Sequence, residues 1–206
     1  MASKLAIWNM ALGFIGTRTV ASETEHTVEA VQCKLFWDSA RLTALRAYPW
    51  NFAQSRERLA AVTVPEVWSA DWPCAYAVPA QCLRLHRVFQ EGDGRHGGGH
   101  WMMVNGGDRE LILTDVSQAL ADFTRDVAET SRWDDTFCAV MARRLACLIC
   151  VPLLKNSSGR LQELEALYRA ALPDAVRDDA TERSEAAAPD TWLTARGGNQ
   201  SGRYDV

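Results

Sequence analysis

Leu5, Trp8, Leu12 and Ile15 recur at three- and four-residue spacing, which predicts one buried stripe along a helix that Gly16 ends. Ser22 with Glu25 three residues on has the capping-box spacing and announces a second helix. Its inward stripe reads Val28, Val31, Leu35, Leu42 and Leu45, with Asp38 interrupting and Pro49 as the stop. About six residues separate the two segments, so they are expected to pack as an antiparallel hairpin.

From residue 50 to 79 the pattern loses its period. Pro65, Pro73 and Pro79 punctuate a stretch crowded by Trp50, Trp68, Trp72 and Tyr76. Proline removes backbone donors and fixes φ, so the reading is a short helical piece over 53–61 followed by extended, irregular chain. Strand patterns follow: Cys82, Leu83, Leu85, Val88 and Phe89 mark one, and 101–104 with 110–113 form a hairpin through Asn105-Gly106-Gly107-Asp108. A further strand is expected over 119–127.

Helical spacing then returns. Ser131 is read as the cap of a helix with Asp134 and Asp135 in its first turn, near the positive end of the dipole. Phe137, Val140, Met141, Leu145, Leu148 and Val151 form its buried stripe, and Pro152 kinks or ends it. Ser157 or Ser158 starts a last helix with Leu161, Leu164, Tyr168 and Ala171 on one face, which Pro173 should bend or break. Past Ala180 the chain is rich in alanine, glycine and charge, and Trp192 with Leu193 is its main apolar feature. Such a tail cannot bury enough to fold alone; the Trp-Leu pair reads as an anchor, on a partner or back on its own chain.

These elements define an α+β chain, mainly α. About four helices form a bundle from 1–62 and 131–181, with an inserted small antiparallel β domain over 63–130 and an extended C-terminal tail over 182–206. With 206 residues, 48% of them apolar, the chain can bury a sizeable core without disulfides or metals. The longest unbroken apolar run, 145–154, is half of what a bilayer span requires, so no transmembrane segment is expected. Lys4 precedes an apolar stretch, but Asn9 interrupts it and no small-residue cleavage site closes it, so a helix is read there rather than a signal peptide.

The net charge of −4 is unevenly placed. Residues 1–160 carry 17 basic and 17 acidic side chains, whereas 161–185 carry 3 against 7. A nearly neutral body lacks the basic footprint of a protein that grips nucleic acid. The acidic stretch reads as a solvated helix face or, alternatively, as a lining past which a polyanion slides.

Six cysteines include a single CxxC, Cys147 and Cys150, inside the apolar run LACLICVPLL. No second CxxC or histidine pair completes a zinc set, so the thiols read as small buried hydrophobes in a reducing compartment. The loop EGDGRHGGGH at 91–100 lacks the lysine and hydroxyl of a phosphate-binding loop. Its His96 and His100 are too few to hold a metal, and it reads as a flexible hairpin tip and mobile contact loop. Asp134 and Asp135 diverge by about 100° on a helix and cannot readily serve one substrate as acid and base. No cofactor and no catalytic residue is expected.

In order along the chain, LRAYPWNFA (45–53), YAVPAQCLRL (76–85), Leu113-Thr114-Asp115, WDDTFCAVMARRLACLICVPL (133–153) and Trp192-Leu193 through Arg196 resemble the motifs of the tail tubular protein A, or head-to-tail adaptor, family of short-tailed bacteriophages. The likeness covers roughly residues 5–196. Gln81 stands where the family has an acidic or amide residue, Pro173 interrupts a generally continuous helix, and the glycine loop is enlarged. The resemblance implies a virion protein without chemistry, assembled in the host cytoplasm. Its copies would form a ring, typically of twelve, between the portal protein and the tail nozzle protein, and DNA would pass through the lumen without specific binding.

Interface candidates on that reading are Trp50, Trp72, His96, His100, Trp192, Leu193 and Arg196; channel-lining candidates are Glu163, Glu165, Asp178 and Asp179. Eight tryptophans exceed the needs of one small core, and aromatics are enriched in interface cores. The alternatives are a cell-wall-degrading tail enzyme and a monomeric helical binding or scaffolding domain.

Overall fold

The computed structural model describes residues 2–93, 97–154 and 158–182. The chain is α+β, with four helices and two small antiparallel sheets among the described residues. The helices are α1 (Lys4–Ile15), α2 (Val28–Ala47), α3 (Asp135–Leu153) and α4 (Ser158–Thr181).

Helix α3 is the hub, and α1, α2 and α4 each pack against it rather than mainly against one another. Ten of its residues, from Phe137 to Cys150, are buried. Its length and apolar composition would suffice to cross a membrane, but here that apolar surface is consumed by three neighbouring helices. The expected α1–α2 hairpin is therefore corrected: the two helices meet through the edge-to-face rings of Trp8 and Trp37, 6.4 Å apart. The connection is longer than the capping-box reading implied. Ser22 and Glu25 do bond to nearby backbone, Ser22 Oγ accepting from the Thr24 amide and Glu25 Oε2 from the Ala21 amide, but they close a loop turn. Thr27 is the cap of α2. Asn9, the polar break in the first stripe, holds that loop by donating to the Val20 carbonyl and accepting from the Val20 amide.

Asp134, not Ser131, caps α3; its Oδ1 accepts from the Phe137 amide. Pro152 falls in the last turn, and α4 runs through Pro173 without a break. A proline removes one hydrogen bond, and the packing of α4 along α3 carries the helix across that gap.

The expected helical piece at 53–61 is also corrected. A single 3-10 turn (Asn51–Ala53) leads into β1 (Gln54–Arg58) and β2 (Ala61–Val62), followed by β3 (Cys74–Ala77), β4 (Cys82–Phe89), β5 (Trp101–Asn105), β6 (Glu110–Thr114) and β7 (Leu120–Arg125). One sheet has the order β1-β7-β4 and the other β2-β3-β6-β5. β1 reads Gln-Ser-Arg-Glu-Arg and has no apolar alternation; pairing with β7 makes it a strand. The hairpin β5–β6 has the expected register, Asn105 opposite Glu110. Leu59, Tyr76, Leu85, Val88, Ile112, Ala121 and Phe123 form a second core shared by the two sheets. Arg41 of α2 is buried and bonds Asp126 just beyond β7, tying the helical body to the sheet.

The glycine loop is a crossover from β4 in one sheet to β5 in the other, not a hairpin tip. Its described end is packed: the Gly99 amide donates to the Val88 carbonyl at 3.0 Å. A Cβ on Gly99 would lie 2.1 Å from Val116 Cγ2 and 2.2 Å from Asp115 Oδ1. Gly99→Ala is therefore expected to cost about 1–3 kcal/mol through overpacking, read as a lower urea midpoint.

Candidate functional site

The sequence placed Trp50 among the interface residues; the structure places it in the core. It is fully buried, donates Nε1–H to the Ala44 carbonyl at 3.0 Å, and meets the rings of Tyr48 and Phe137. Trp8, Trp37 and Trp133 are likewise buried, with Trp37 and Trp133 stacked at 5.8 Å. Four of the eight tryptophans thus go into one aromatic chain that welds α1, α2 and α3 together. Trp72 is half-buried. His100 is exposed, with Nδ1 3.2 Å from an oxygen of Asp115. His96, Trp192, Leu193 and Arg196 lie outside the described residues.

The four acidic candidates do not form one surface. Glu163 pairs with Arg160 and Glu165 with Arg169 along α4, and at 100° per residue Glu163 and Glu165 point to different sides of the helix. Asp179 is buried, which excludes it from a solvent-facing lining. Its Oδ1 accepts from the Asn51 amide at 2.9 Å, and its carbonyl accepts from Asn51 Nδ2 at 2.6 Å. Asp179 thereby clamps the end of α4 onto the turn after α2. Asp179→Ala is expected to cost about 1–3 kcal/mol by leaving that amide without its acceptor, measured by chemical denaturation of the full chain.

The cysteines are free and mostly buried. Burial pushes the Cys33 thiol up to about 12 and those of Cys82 and Cys138 up to about 11; Cys147 and Cys150 are also raised by burial. Such thiols are poor nucleophiles and poor ligands. An ordinary thiol ionises near 9, so above that pH the unfolded chain sheds thiol protons that the folded chain retains. Stability should be fully present below pH 9 and decline as pH rises through the folded values. Urea titrations at stepped alkaline pH check this, and an all-serine variant at the buried positions should show a shallower decline. Among the described residues no three His, Cys, Asp or Glu side chains converge on a common point. Arg143 and Arg144 lie over the rings of Phe14 and Tyr168 within the same chain.

A surface the periodicity did not reveal is the outer face of α2. Helical spacing predicts Val28, Val31 and Leu35 on its inward stripe, yet they are 62%, 51% and 66% exposed. The buried side is Ala30, Cys33, Trp37, Ala40, Arg41, Ala44 and Leu45. With 100° between successive residues the two stripes lie on nearly opposite sides of the helix. The signal was present in residue size: small side chains let α2 approach α3 closely, and Trp37 buries more area than a valine. Leu42, half-buried, extends the exposed stripe to a length of ~21 Å. A cleft of about 260 Å³ lined by Glu23, Glu25, His26, Val31 and Lys34 adjoins it.

The fold and this surface define a compact α+β protein with an unpartnered apolar helix face. Compared with known proteins, the chain matches no family model and no curated protein at a significant level.

Proposed function

We propose that this chain is a structural subunit of a ring, the head-to-tail adaptor between the portal and the tail nozzle of a short-tailed phage. Five sequence motifs in the family's order support that reading. The observation that carries it is the α2 stripe. Three large apolar side chains at helical spacing, each more than half exposed, are costly in water and useful in a contact between copies. Such a stripe meets a different patch on the next copy, and a heterologous contact closes into a ring when its rotation permits. Of the adjacent carboxylates weighed for acid-base work, Asp134 has a structural engagement as the cap of α3.

The test is the mass of the purified chain by light scattering, alone and with the cognate portal ring, followed by imaging of the assembly. A ring of about twelve subunits on the portal is expected from the resemblance, with each subunit contacting its neighbour through α2. A mass that stays at 22.9 kDa with portal present overturns the reading.

A further inference from the structure

The two sheets end in the edge strands β1, β4, β2 and β5, and all but the last carry a feature that discourages pairing with another chain. β1 is charged, reading Gln-Ser-Arg-Glu-Arg. β4 is irregular, with register shifts between Cys82 and Arg84 and between Leu85 and Arg87. β2 is only two residues long. β5 is the exception: Trp-Met-Met-Val-Asn is uncharged, has no proline, and runs against β6 in unbroken register. Among the described residues no strand lies on its outer side.

The Gly106 amide donates to the Arg109 carbonyl at 2.8 Å, at the turn end of the β5–β6 ladder. Hydrogen-bonded and non-hydrogen-bonded pairs alternate along an antiparallel ladder. Val104 and Met102 therefore bond to β6, and the backbone groups of Trp101, Met103 and Asn105 point outward. Among the described residues none of these outward groups has a backbone partner beyond the ladder. Side chains on both faces of β5 are apolar. Met102 stands beside Leu113 and Val104 beside Leu111, whereas Met103 continues the row of Ile112 and Tyr76 on the opposite face. Met103 is 39% exposed although that row belongs to the core between the sheets.

We infer that β5 is the edge through which two free copies of this chain pair, antiparallel, about a two-fold axis at Met103. The occupant follows from self-complementarity. In that register Met103 lies opposite its own counterpart, Trp101 opposite Asn105, and Met102 opposite Val104. Every outward amide then meets an outward carbonyl, and no charge meets a like charge. The apolar row through Leu113 and Met102 runs on into Val104 and Leu111 of the second copy, so it stays apolar across the junction. A strand with one polar face would forfeit half of this match. The paired edge is short, below the standard interface size of about 1,600 Å², so the pair is weak and dissociates on dilution. A two-fold contact closes on itself and builds no ring. It is therefore separate from the α2 stripe and stands whether or not the adaptor reading does.

The experiment is light scattering of the full chain from about 1 μM to about 1 mM, the span of weak association. The mass should rise from 22.9 kDa toward twice that value. Over the same range, residue-resolved amide exchange should slow at Trp101, Met103 and Asn105, while Met102 and Val104 are protected throughout by β6. Met103→Lys and Met103→Asp should each weaken association by about tenfold or more, because like charges then face each other. An equal mixture of the two variants should recover it, since opposite charges then meet across the strands; that recovery also shows that both variants fold. The variant Val28→Ser, Val31→Ser, Leu35→Ser on α2 should pair like the parent. A parent that stays monomeric, unchanged association of Met103→Lys, no recovery on mixing, slowed exchange away from β5, or loss of pairing in the α2 variant overturns the proposal. Ring formation on the portal is scored separately: rings without the free pair sink this proposal alone, and the free pair without rings sinks the adaptor reading alone.

Discussion

Replacing Trp50 by alanine is expected to destabilise the isolated chain by about 3–5 kcal/mol, the cost of emptying a large aromatic site that cannot fully collapse. Trp50 is fully buried between α2 and α3, and its indole N–H is satisfied by the Ala44 carbonyl. Its ring meets Phe137 edge-on at 5.1 Å, and Phe137 in turn touches Phe52 and Trp133. Removing it opens the aromatic chain at its centre. Domains of this kind have about 5–15 kcal/mol in total, so the variant should lose about a fifth or more of its urea midpoint. Trp50→Phe should cost less, since it keeps the ring contact and loses the hydrogen bond. The same experiment separates core from interface: an anchor used only between copies would leave the midpoint of the lone chain unchanged, and that result would return Trp50 to the interface.

The α2 stripe should behave in the opposite way. Val28→Ser, Val31→Ser and Leu35→Ser made together remove apolar surface that already faces water, so the monomer's stability should shift by no more than about 0.5 kcal/mol per site. Assembly should suffer instead. Covering these side chains in a contact between copies is worth about 4 kcal/mol for the three, equivalent to on the order of a thousandfold in association. Because every contact in a ring carries the same loss, ring yield on the portal should collapse while far-UV circular dichroism and the urea midpoint stay put. Rings forming at the parental yield would remove α2 from the interface.

Much of the fold was legible because local periodicity and local chemistry agree. The Leu5-Trp8-Leu12-Ile15 stripe and its Gly16 terminator form α1, with Gly16 at a φ of 85°. The alternation in β4, β6 and β7 and the Asn-Gly turn forecast the strands with small errors at their ends. The buried CxxC reads the same way from its apolar flanks as from its raised thiols. Where the local signals are ambiguous, contacts distant in sequence decide the outcome. β1 has no apolar pattern, and Arg56 finds its partners across the sheet, in the Asp122 carboxylate and the Phe89 ring. Ser22, Ser131 and Asp134 all stand where caps can occur, and which of them caps a helix depends on where the chain is pulled into the core.

The amino-acid order by itself determined the helices, most strands and the reduced, buried character of the thiols, because each depends on neighbours within a few residues. Only the tertiary structure decided which of two apolar stripes on α2 turns inward, that Trp50 and Asp179 are interior, and that β5 is an edge strand. Those outcomes depend on which surfaces compete for the same core and on strand order, and both are set by contacts between residues far apart along the chain.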